Sequence, residues 1–340
     1  MDSVVRLVDR WVEERSIPGA VLHISLGSRY RWQQAFGEAD VSSEKKPFTI
    51  DTRFDAASLT KVSATLPAIL TLEARGFLAL NDPVQRFIPE FRHRNVTIAH
   101  LLQHASGLPA DLPGMERSVY RDVMEEAFRQ ELLFEPGRQV LYSDLGFILL
   151  GAVVERITGE KLAEFVRREI HQPLGMADTG FVPAESERYR IAPTELYRGS
   201  YITGEVHDEK SYHLGGVSGS AGLFTTAADL ARYGESWLQP DGPVVRREWR
   251  EICCAQPFMG RGLGWEVWHG QEPAPSCSHV WPQGSFGHTG FTGTSVWIEP
   301  QSKLVVVFLT NAVHFGRANP IRRLRPLLHD VIYSSISGVK

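Results

Sequence analysis

Residues 54–61 read Phe54-Asp55-Ala56-Ala57-Ser58-Leu59-Thr60-Lys61, where a short apolar, extended approach turns into an apolar helical pattern that runs to about Leu72. Residues three positions apart on a helix face the same way, so Ser58 and Lys61 are predicted to lie side by side. Ser58 is also expected in the positive end of the helix dipole. A lysine desolvated there can lose its charge and act as a base toward the hydroxyl. The stretch therefore predicts an activated serine nucleophile.

The spacing Ser-Xaa-Xaa-Lys occurs four times in the chain, so the spacing alone does not identify a site. Two further copies begin at Ser42 and Ser43 in a charged, turn-like stretch, and one begins at Ser337 in the C-terminal tail. Only the copy at Ser58 has the transition from strand to helix that the chemistry needs.

The composition is that of an ordinary globular protein, with 340 residues, 43% hydrophobic residues, 22% charged residues and a formal net charge of −4. This length predicts a large core and two lobes. The mildly acidic balance, without a dense Lys/Arg block, argues against nucleic acid or an anionic membrane surface as the main partner. No apolar run approaches the length of a membrane span. A small molecule or a peptide is the expected partner, and the sequence does not indicate an oligomeric state.

The cysteines and the N-terminus predict the cellular compartment. The three cysteines, Cys253, Cys254 and Cys277, are an odd number, and adjacent cysteines rarely bridge each other. The chain runs from Met1 straight into an amphipathic helical pattern without a signal-peptide pattern. We therefore expect a reduced, cytoplasmic protein, or an exported one if an N-terminal signal has been removed.

Hydrophobic periodicity places strands at both ends of the chain and helices in the middle. Strands are predicted over residues 20–26, 30–36, 262–268, 293–298 and 304–309. Helices are predicted over residues 4–12, 59–72, 98–104, 119–133, 145–157, 161–170 and 321–335. The terminal strands must pair to close a sheet, because a lone hairpin is only marginally stable. The predicted α/β (α+β) architecture is a largely antiparallel sheet domain (residues 1–60 and 260–340), covered by the first and last helices, with a mostly helical domain (residues 61–259) inserted and the active site between them.

A second cluster of reactive residues is Tyr142-Ser143-Asp144, at the start of the apolar pattern over residues 145–157. Tyr142 can share a proton with Lys61 and Ser58, and Asp144 can orient Lys61 or accept a hydrogen bond from a substrate amide. The alternative is that Ser143 or Asp144 only caps the helix and that Tyr142 packs.

A third cluster is His288-Thr289-Gly290-Phe291, predicted to enter the strand over residues 293–298. Small residues beside a nucleophile let a substrate backbone lie alongside it. A backbone N–H from this segment, together with that of Ser58, can form an oxyanion hole. The alternative is a glycine-bearing strand start with a partly buried histidine.

The order of the three clusters resembles the serine β-lactamase and penicillin-binding-protein superfamily, most closely the class C β-lactamase-like branch. That branch also holds D-alanyl-D-alanine carboxypeptidases, D-aminopeptidases and esterases. Its members carry Ser-Xaa-Xaa-Lys, then Tyr-Xaa-Asn, then Lys/His-Thr/Ser-Gly. Here these motifs fall, in that order, at Ser58/Lys61, Tyr142/Asp144 and His288/Thr289/Gly290. Residues 100–109, 173–176 and 215–224 are also similar to this branch, and the resemblance covers roughly residues 5 to 335.

The resemblance implies a β-lactamase/transpeptidase-like fold and a hydrolase that works through an acyl-enzyme. Ser58 is then the acylated nucleophile, and Lys61 with Tyr142 forms the general base and acid. The resemblance does not decide which of Lys61 and Tyr142 accepts the first proton. Residues 288–291 hold the substrate, and the N–H groups of Ser58 and Phe291 form the oxyanion hole. The implied substrate is an amide or ester related to peptidoglycan peptides, or a small ester.

Two departures from the family pattern point away from a dedicated β-lactamase. Asp144 stands in place of asparagine and cannot donate an amide hydrogen bond. His288 stands in place of the more familiar lysine, and a histidine is mostly neutral at pH 7. If His288 anchors a substrate carboxylate, the preference for such substrates should fade as the pH rises. The Tyr-Ser-Asp variant, with residues 206–209, resembles a subgroup linked to cell-wall fragments, including muramyl-peptide amidases.

A rival interpretation is a β-lactam or muropeptide sensor that is acylated and stops, or a scaffold that has kept only the fold. The intact residues Ser58, Lys61 and Tyr142 argue against a scaffold. The residues His207, Asp208 and His213 match no compact metal-ligand spacing, so neither a metal nor another cofactor is expected.

Overall fold

The computed structural model describes residues 1–27, 29–40, 46–239, 242–271 and 275–337 of the chain. Ser28, between the strands predicted over residues 20–26 and 30–36, and the serines Ser42 and Ser43 lie outside the described residues. The α-helices are α1 Asp2–Glu13, α2 Leu66–Ala74, α3 Ile98–Leu102, α4 Val123–Arg129, α5 Asp144–Thr158, α6 Leu162–Val166, α7 Glu209–His213, α8 Ala227–Ser236, α9 Arg247–Cys254 and α10 Ile321–Ser337. The strands are β1 Gly19–Leu26, β2 Tyr30–Asp40, β3 Lys46–Pro47, β4 Phe54–Asp55, β5 Gly180–Phe181, β6 Leu196–Tyr197, β7 Ser200–Tyr201, β8 Leu223–Thr225, β9 Glu266–Val267, β10 Phe286–Thr289, β11 Ser295–Glu299 and β12 Leu304–Leu309.

The main sheet joins the two ends of the chain. Its strand order is β3-β2-β1-β12-β11-β10-β9, and each pair is antiparallel. Val21 of β1 lies opposite Leu309 of β12, so the N-terminal hairpin and the C-terminal strands form one surface. This confirms the predicted α/β class and the antiparallel sheet built from both termini. The helices α1 and α10 pack against each other, and α1 packs on β1 and β2, while α8 also packs on the sheet, against β1, β11 and β12.

The middle of the chain is largely helical, as predicted. The helix α5 is buried over most of its length, because its apolar residues cover nearly its whole circumference. The glycine-rich loop of residues 215–222 packs directly on α5. A Cβ atom on Gly219 would lie 2.0 Å from the carbonyl oxygen of Phe147. Because α8 belongs to the middle segment and yet packs on the sheet, the domain boundaries at residues 60 and 260 stay a prediction.

The helix expected over residues 59–72 begins with a π-helical turn, Lys61–Thr65, that continues into α2. Pro67 has no N–H to donate to the carbonyl of Ser63 four residues earlier. The buried His171 donates to that carbonyl instead, with its Nε2 atom 3.2 Å away. The irregular part of the helix therefore includes Lys61 itself.

Three expectations were wrong in their bounds. The helix predicted over residues 119–133 covers only α4, which begins where the Asp122 side chain accepts a hydrogen bond from the N–H of Glu125. The strand predicted over residues 262–268 is only β9. His288 and Thr289 do not enter the strand over residues 293–298; they end a separate strand, β10, that pairs with β11.

Two further observations concern membrane spans and cysteines. Across the residues described, no helix is both long enough and apolar enough to span a membrane. The thiols of Cys253, Cys254 and Cys277 are free and buried.

Candidate active site

The turn that carries Ser58 is held by a buried carboxylate. Ala57, directly before Ser58, has a φ of +48°, a left-handed conformation that few non-glycine residues adopt. The Asp55 carboxylate accepts hydrogen bonds from the N–H of Ala57 at 2.8 Å and from the N–H of His207 at 2.6 Å. These two bonds fix the approach to Ser58 and tie it to the segment that leads into α7.

The turn between β10 and β11 docks on the same segment. The hydroxyl of Thr292 donates to the carbonyl of Asp55 at 2.8 Å, and that of Thr294 donates to the carbonyl of Ala56 at 3.0 Å. Gly290 is required here, because a Cβ atom would lie 2.6 Å from the Ala56 carbonyl oxygen. The third sequence cluster is thereby brought beside Ser58.

Lys61 connects the first two clusters. It is fully buried, and its Nζ atom lies 3.0 Å from Ser58 Oγ, 2.9 Å from the carbonyl oxygen of Ser220 and 2.7 Å from Asp144 Oδ1. The contact with Ser220 shows that the glycine-rich loop before β8 borders the site. Asp144 had two interpretations, as a helix cap or as a partner of Lys61. In the structure its carboxylate contacts Lys61.

The charge of Lys61 differs from the expectation. Burial alone lowers its pKa, but the charge of Asp144 and the contacts with Tyr142 outweigh burial, so the pKa of Lys61 is raised. The sequence suggested a lysine that loses its charge through desolvation. The nearby carboxylate, which a desolvation argument leaves out, keeps Lys61 protonated.

Tyr142 lies at the centre of a ring of nitrogen-bearing side chains. Lys61 Nζ is 5.1 Å from the centre of its ring, and the guanidinium of Arg261 is 5.4 Å from it. The rings of His104 and His288 have their centres 4.3 Å and 5.9 Å from that of Tyr142. The second and third clusters therefore meet around a half-buried phenol.

His288 is buried and neutral. Its Nδ1 donates to the carbonyl of Thr289 at 2.8 Å, and within the described part of the chain its buried Nε2 has no hydrogen-bond partner. Burial, together with the charges of Arg261 and Lys61, holds the pKa of His288 well below its ordinary value. A neutral ring argues against anchoring of a substrate carboxylate by His288 at neutral pH.

Two adjoining cavities share Ser58, Tyr142, Phe291 and Arg317. The larger, about 500 Å³, has a basic wall completed by Arg261, Glu266, Ser276, His288, Thr289, Gly290, Asn319, Ile321, Arg322 and Arg325. The smaller, about 180 Å³, has an acidic wall completed by Ala57, Asp111, Asp144, His207, Asp208, Glu209, Lys210 and Ala221. Ser58 therefore lies between two compartments of opposite electrostatic character. The amide groups of Ser58 and Phe291 make no hydrogen bond with the described residues, so both remain available to an oxyanion.

Lys210 is a site residue that the sequence did not reveal. It is buried on the short helix α7, and its Nζ atom lies 2.7 Å from Asp111 Oδ1, 3.0 Å from Asp208 Oδ2 and 3.3 Å from Asp144 Oδ2. Burial lowers its pKa, but the three carboxylates together raise it, so Lys210 is charged. The signal in the sequence was its position directly after residues 206–209, the segment that resembles the subgroup linked to cell-wall fragments.

The histidines that invited a metal interpretation have other partners. His207 Nε2 lies 2.9 Å from Glu195 Oε2, and His213 Nε2 donates to the carbonyl of Glu116 at 2.8 Å. Asp208 caps α7 and pairs with Lys210. Among the residues described, no group of histidine, cysteine and acidic side chains is arranged to hold a metal ion.

A separate cavity of about 590 Å³ lies between α4, α5 and residues 214–219. It is lined mostly by apolar side chains and by none of the sequence-predicted site residues. We therefore place the candidate site at the two cavities beside Ser58.

Comparison with known proteins gives one family. The family model described as Beta-lactamase matches residues 4–329. A protein of Escherichia coli (strain K12), provisionally named D-alanyl-D-alanine carboxypeptidase, is 30% identical over 92% of this chain and 83% of its own length. The solved structure of EstCE1, a hydrolase with promiscuous acyltransferase activity, is 25% identical, with a TM-score of 0.75 over 96% of this chain and 98% of that one. A class C β-lactamase shares the fold at 19% identity, with a TM-score of 0.76 over 97% of this chain and 95% of that one.

Proposed function

Because the chain belongs to the β-lactamase family, whose members include serine hydrolases of the β-lactamase and penicillin-binding-protein type, we propose that it hydrolyses an amide or ester through an acyl-enzyme on Ser58. The observation that carries the proposal is the 3.0 Å contact between Lys61 Nζ and Ser58 Oγ at the junction of two open cavities. A serine with this partner and with access to substrate is placed for nucleophilic attack.

In the first half of the reaction, Ser58 Oγ attacks the substrate carbonyl carbon and its proton passes to the Lys61–Tyr142 pair. The N–H groups of Ser58 and Phe291 stabilise the oxyanion. The bond to the leaving group then breaks, and the pair returns the proton to that group. In the second half, water attacks the acyl ester, the acid is released and Ser58 recovers its hydroxyl proton.

Within the pair, the charge of Lys61 favours Tyr142 as the first proton acceptor. An ammonium group has no free electron pair to accept a proton, and its charge stabilises a neighbouring phenolate. Lys61 thus has two tasks, holding the Ser58 hydroxyl and supplying positive charge beside Tyr142.

For the substrate, we propose a peptide or ester with a free carboxylate on the leaving group, as at the D-alanyl-D-alanine end of a peptidoglycan peptide. Arg261 and Arg322 line the larger cavity and have no ion pair among the described residues. Guanidinium groups bind carboxylates through paired hydrogen bonds. The name of the Escherichia coli relative, which covers most of this chain, agrees with this substrate class.

Intact-protein mass after mixing with a β-lactam, an ester or a D-alanyl-D-alanine peptide tests the proposal directly. A transient adduct accompanied by product is the expected result. A persistent adduct instead identifies a sensor, since water then fails to release the acyl group. If none of the compounds gives an adduct, the acyl-enzyme proposal is wrong, and the protein is then a scaffold that has kept only the fold.

Substrate selection by carboxylate is expected to be independent of pH near neutrality. The ratio of kcat/KM for a carboxylate-bearing substrate to that of its neutral methyl ester should stay flat from about pH 5.5 to 8.5, because His288 is neutral and guanidinium groups do not lose their proton in this range. Arg322→Ala or Arg261→Ala should lower this ratio by roughly tenfold to a hundredfold, since each removes a charged hydrogen-bond donor.

Arg86→Ala is the matched control, because Arg86 is exposed and pairs with Asp82 away from both cavities. It should leave the ratio unchanged. A ratio that falls as the pH rises through the range would restore His288 as the carboxylate anchor and contradict its neutral state.

A further inference from the structure

Asp144 is shared by two buried lysines. Its Oδ1 atom faces Lys61 at 2.7 Å, and its Oδ2 atom faces Lys210 at 3.3 Å. The side chain of Lys210 is 3% exposed, and none of the proton transfers described above uses it. A buried lysine is costly unless it is paired, so one placed a single carboxylate away from the nucleophile's partner calls for a role.

We propose that Lys210 is a positioning residue that sets the protonation of the Lys61–Tyr142 pair through the Asp144 carboxylate that it shares with Lys61. The inference rests on the proposed acyl-enzyme chemistry at Ser58. With Lys210 present, the carboxylate is divided between two ammonium groups, and its hold on the proton of Lys61 is correspondingly weaker.

The charges around Lys61, Asp144 and Lys210 determine the direction in which the pH–rate profile should shift when Lys210 is replaced. Lys210 faces Asp111, Asp144 and Asp208, while Lys61 faces Ser58, Tyr142 and Asp144. The groups on the outer sides are His104, His288 and Arg261 around Tyr142, His207 paired with Glu195, and Arg317 paired with Glu195 and Glu209. The buried Asp55 also lies close enough to Asp208 for their charges to interact. The inner cluster therefore holds two ammonium groups against three carboxylates.

Loss of Lys210 leaves one ammonium group against the same three carboxylates. The active form of the Lys61–Tyr142 pair has lost one proton, and removing a nearby positive charge makes that loss harder whichever residue gives up the proton. The acid limb of the pH–rate profile should therefore move to higher pH. Removing one carboxylate, as in Asp111→Asn, should move it to lower pH.

The test is the rate at which a fluorophosphonate probe modifies Ser58, measured from about pH 5 to 10 in each variant. In Lys210→Met the acid limb should move up by about one pH unit or more, with the rate lowered roughly tenfold below the limb and recovered at high pH. Lys210→Arg keeps the charge and should keep the wild-type profile. Lys161→Met, at an exposed lysine beside Glu155, is the neutral control.

If a folded Lys210→Met variant is labelled more slowly by the same factor at every pH, and the acid limb of its profile does not move, Lys210 has a merely structural role. That result would overturn the proposal. If Lys210→Met does not fold, Asp111→Asn decides, because the Asp111 side chain is 55% exposed. A limb that fails to move down in Asp111→Asn overturns the proposal equally. Full labelling of Ser58→Ala would instead show that the acyl-enzyme function itself is wrong.

Discussion

Ser58→Ala is expected to abolish labelling by a fluorophosphonate or penicillin probe and to lower hydrolysis by at least roughly a thousandfold. Ser58 Oγ is the hydroxyl that contacts Lys61 Nζ, and it lies where the two cavities meet. Without this hydroxyl, the two backbone amide groups of the oxyanion hole still polarise a substrate carbonyl, but no covalent intermediate forms. Gel fluorescence of the labelled protein and initial hydrolysis rates measure the two effects.

Ser42→Ala and Ser43→Ala are the matched controls, because each removes a serine that also precedes a lysine by three positions. Both should be labelled at the wild-type rate, and circular dichroism should show that all three variants are folded. Loss of labelling in either control, with labelling retained in Ser58→Ala, would show that the nucleophile belongs to another copy of the motif.

Lys61→Ala and Tyr142→Phe are each expected to lower the acylation rate by roughly a hundredfold or more. The alanine variant removes both the partner of the Ser58 hydroxyl and the cation beside Tyr142. The phenylalanine variant keeps the ring that packs against His104 and loses only the hydroxyl. Pre-steady-state acylation with a chromogenic ester separates these losses from effects on deacylation.

Lys303→Ala, at an exposed lysine in the turn between β11 and β12, is the control for Lys61→Ala and should acylate normally. Asp144 keeps its contact with Lys210 in Lys61→Ala, so the buried cluster stays partly paired and the variant is expected to fold. Wild-type acylation rates in both Lys61→Ala and Tyr142→Phe would disprove the proton-transfer roles.

The sequence predicted the meeting of the three clusters because each carries its own local signal. Ser58 lies one turn before Lys61 where a helix begins, and Tyr142 leads into a helix that is apolar almost all round. Strands at both termini left few ways to close a sheet, and β1 does pair with β12. The roles of these residues in catalysis stay predictions until the variants are measured.

The strand β10 was not predicted, because its packing depends on a side chain of the neighbouring strand. A Cβ atom on Gly287 would lie 2.3 Å from the Trp297 ring on the neighbouring strand, so the position requires glycine for close packing rather than for a turn. Hydrophobic periodicity along the chain cannot reveal that a side chain of a neighbouring strand, here Trp297, packs against Gly287.

The charge states also lay beyond the sequence, because they depend on partners far apart in the chain. Lys210 is polar in a segment with no strong period, and only the fold brings Asp111 and Asp144 to it. The neutral state of His288 likewise follows from burial and from Arg261. Motif spacing predicts which groups react, whereas the protonation states of these groups depend on neighbours that only the folded structure brings together.

The pairing of β1 with β12 also governs the order in which this protein can fold. The hairpin of β1 and β2 is synthesised long before β12, its other neighbour in the sheet, because β12 lies much later in the chain. Closing so long a loop has a large entropic cost, and contacts between distant residues slow folding. Until then β1 presents an apolar strand with an unpaired edge, which is a template for aggregation. The pairing of β1 with β12 therefore leaves the growing chain open to aggregation until β12 has been synthesised.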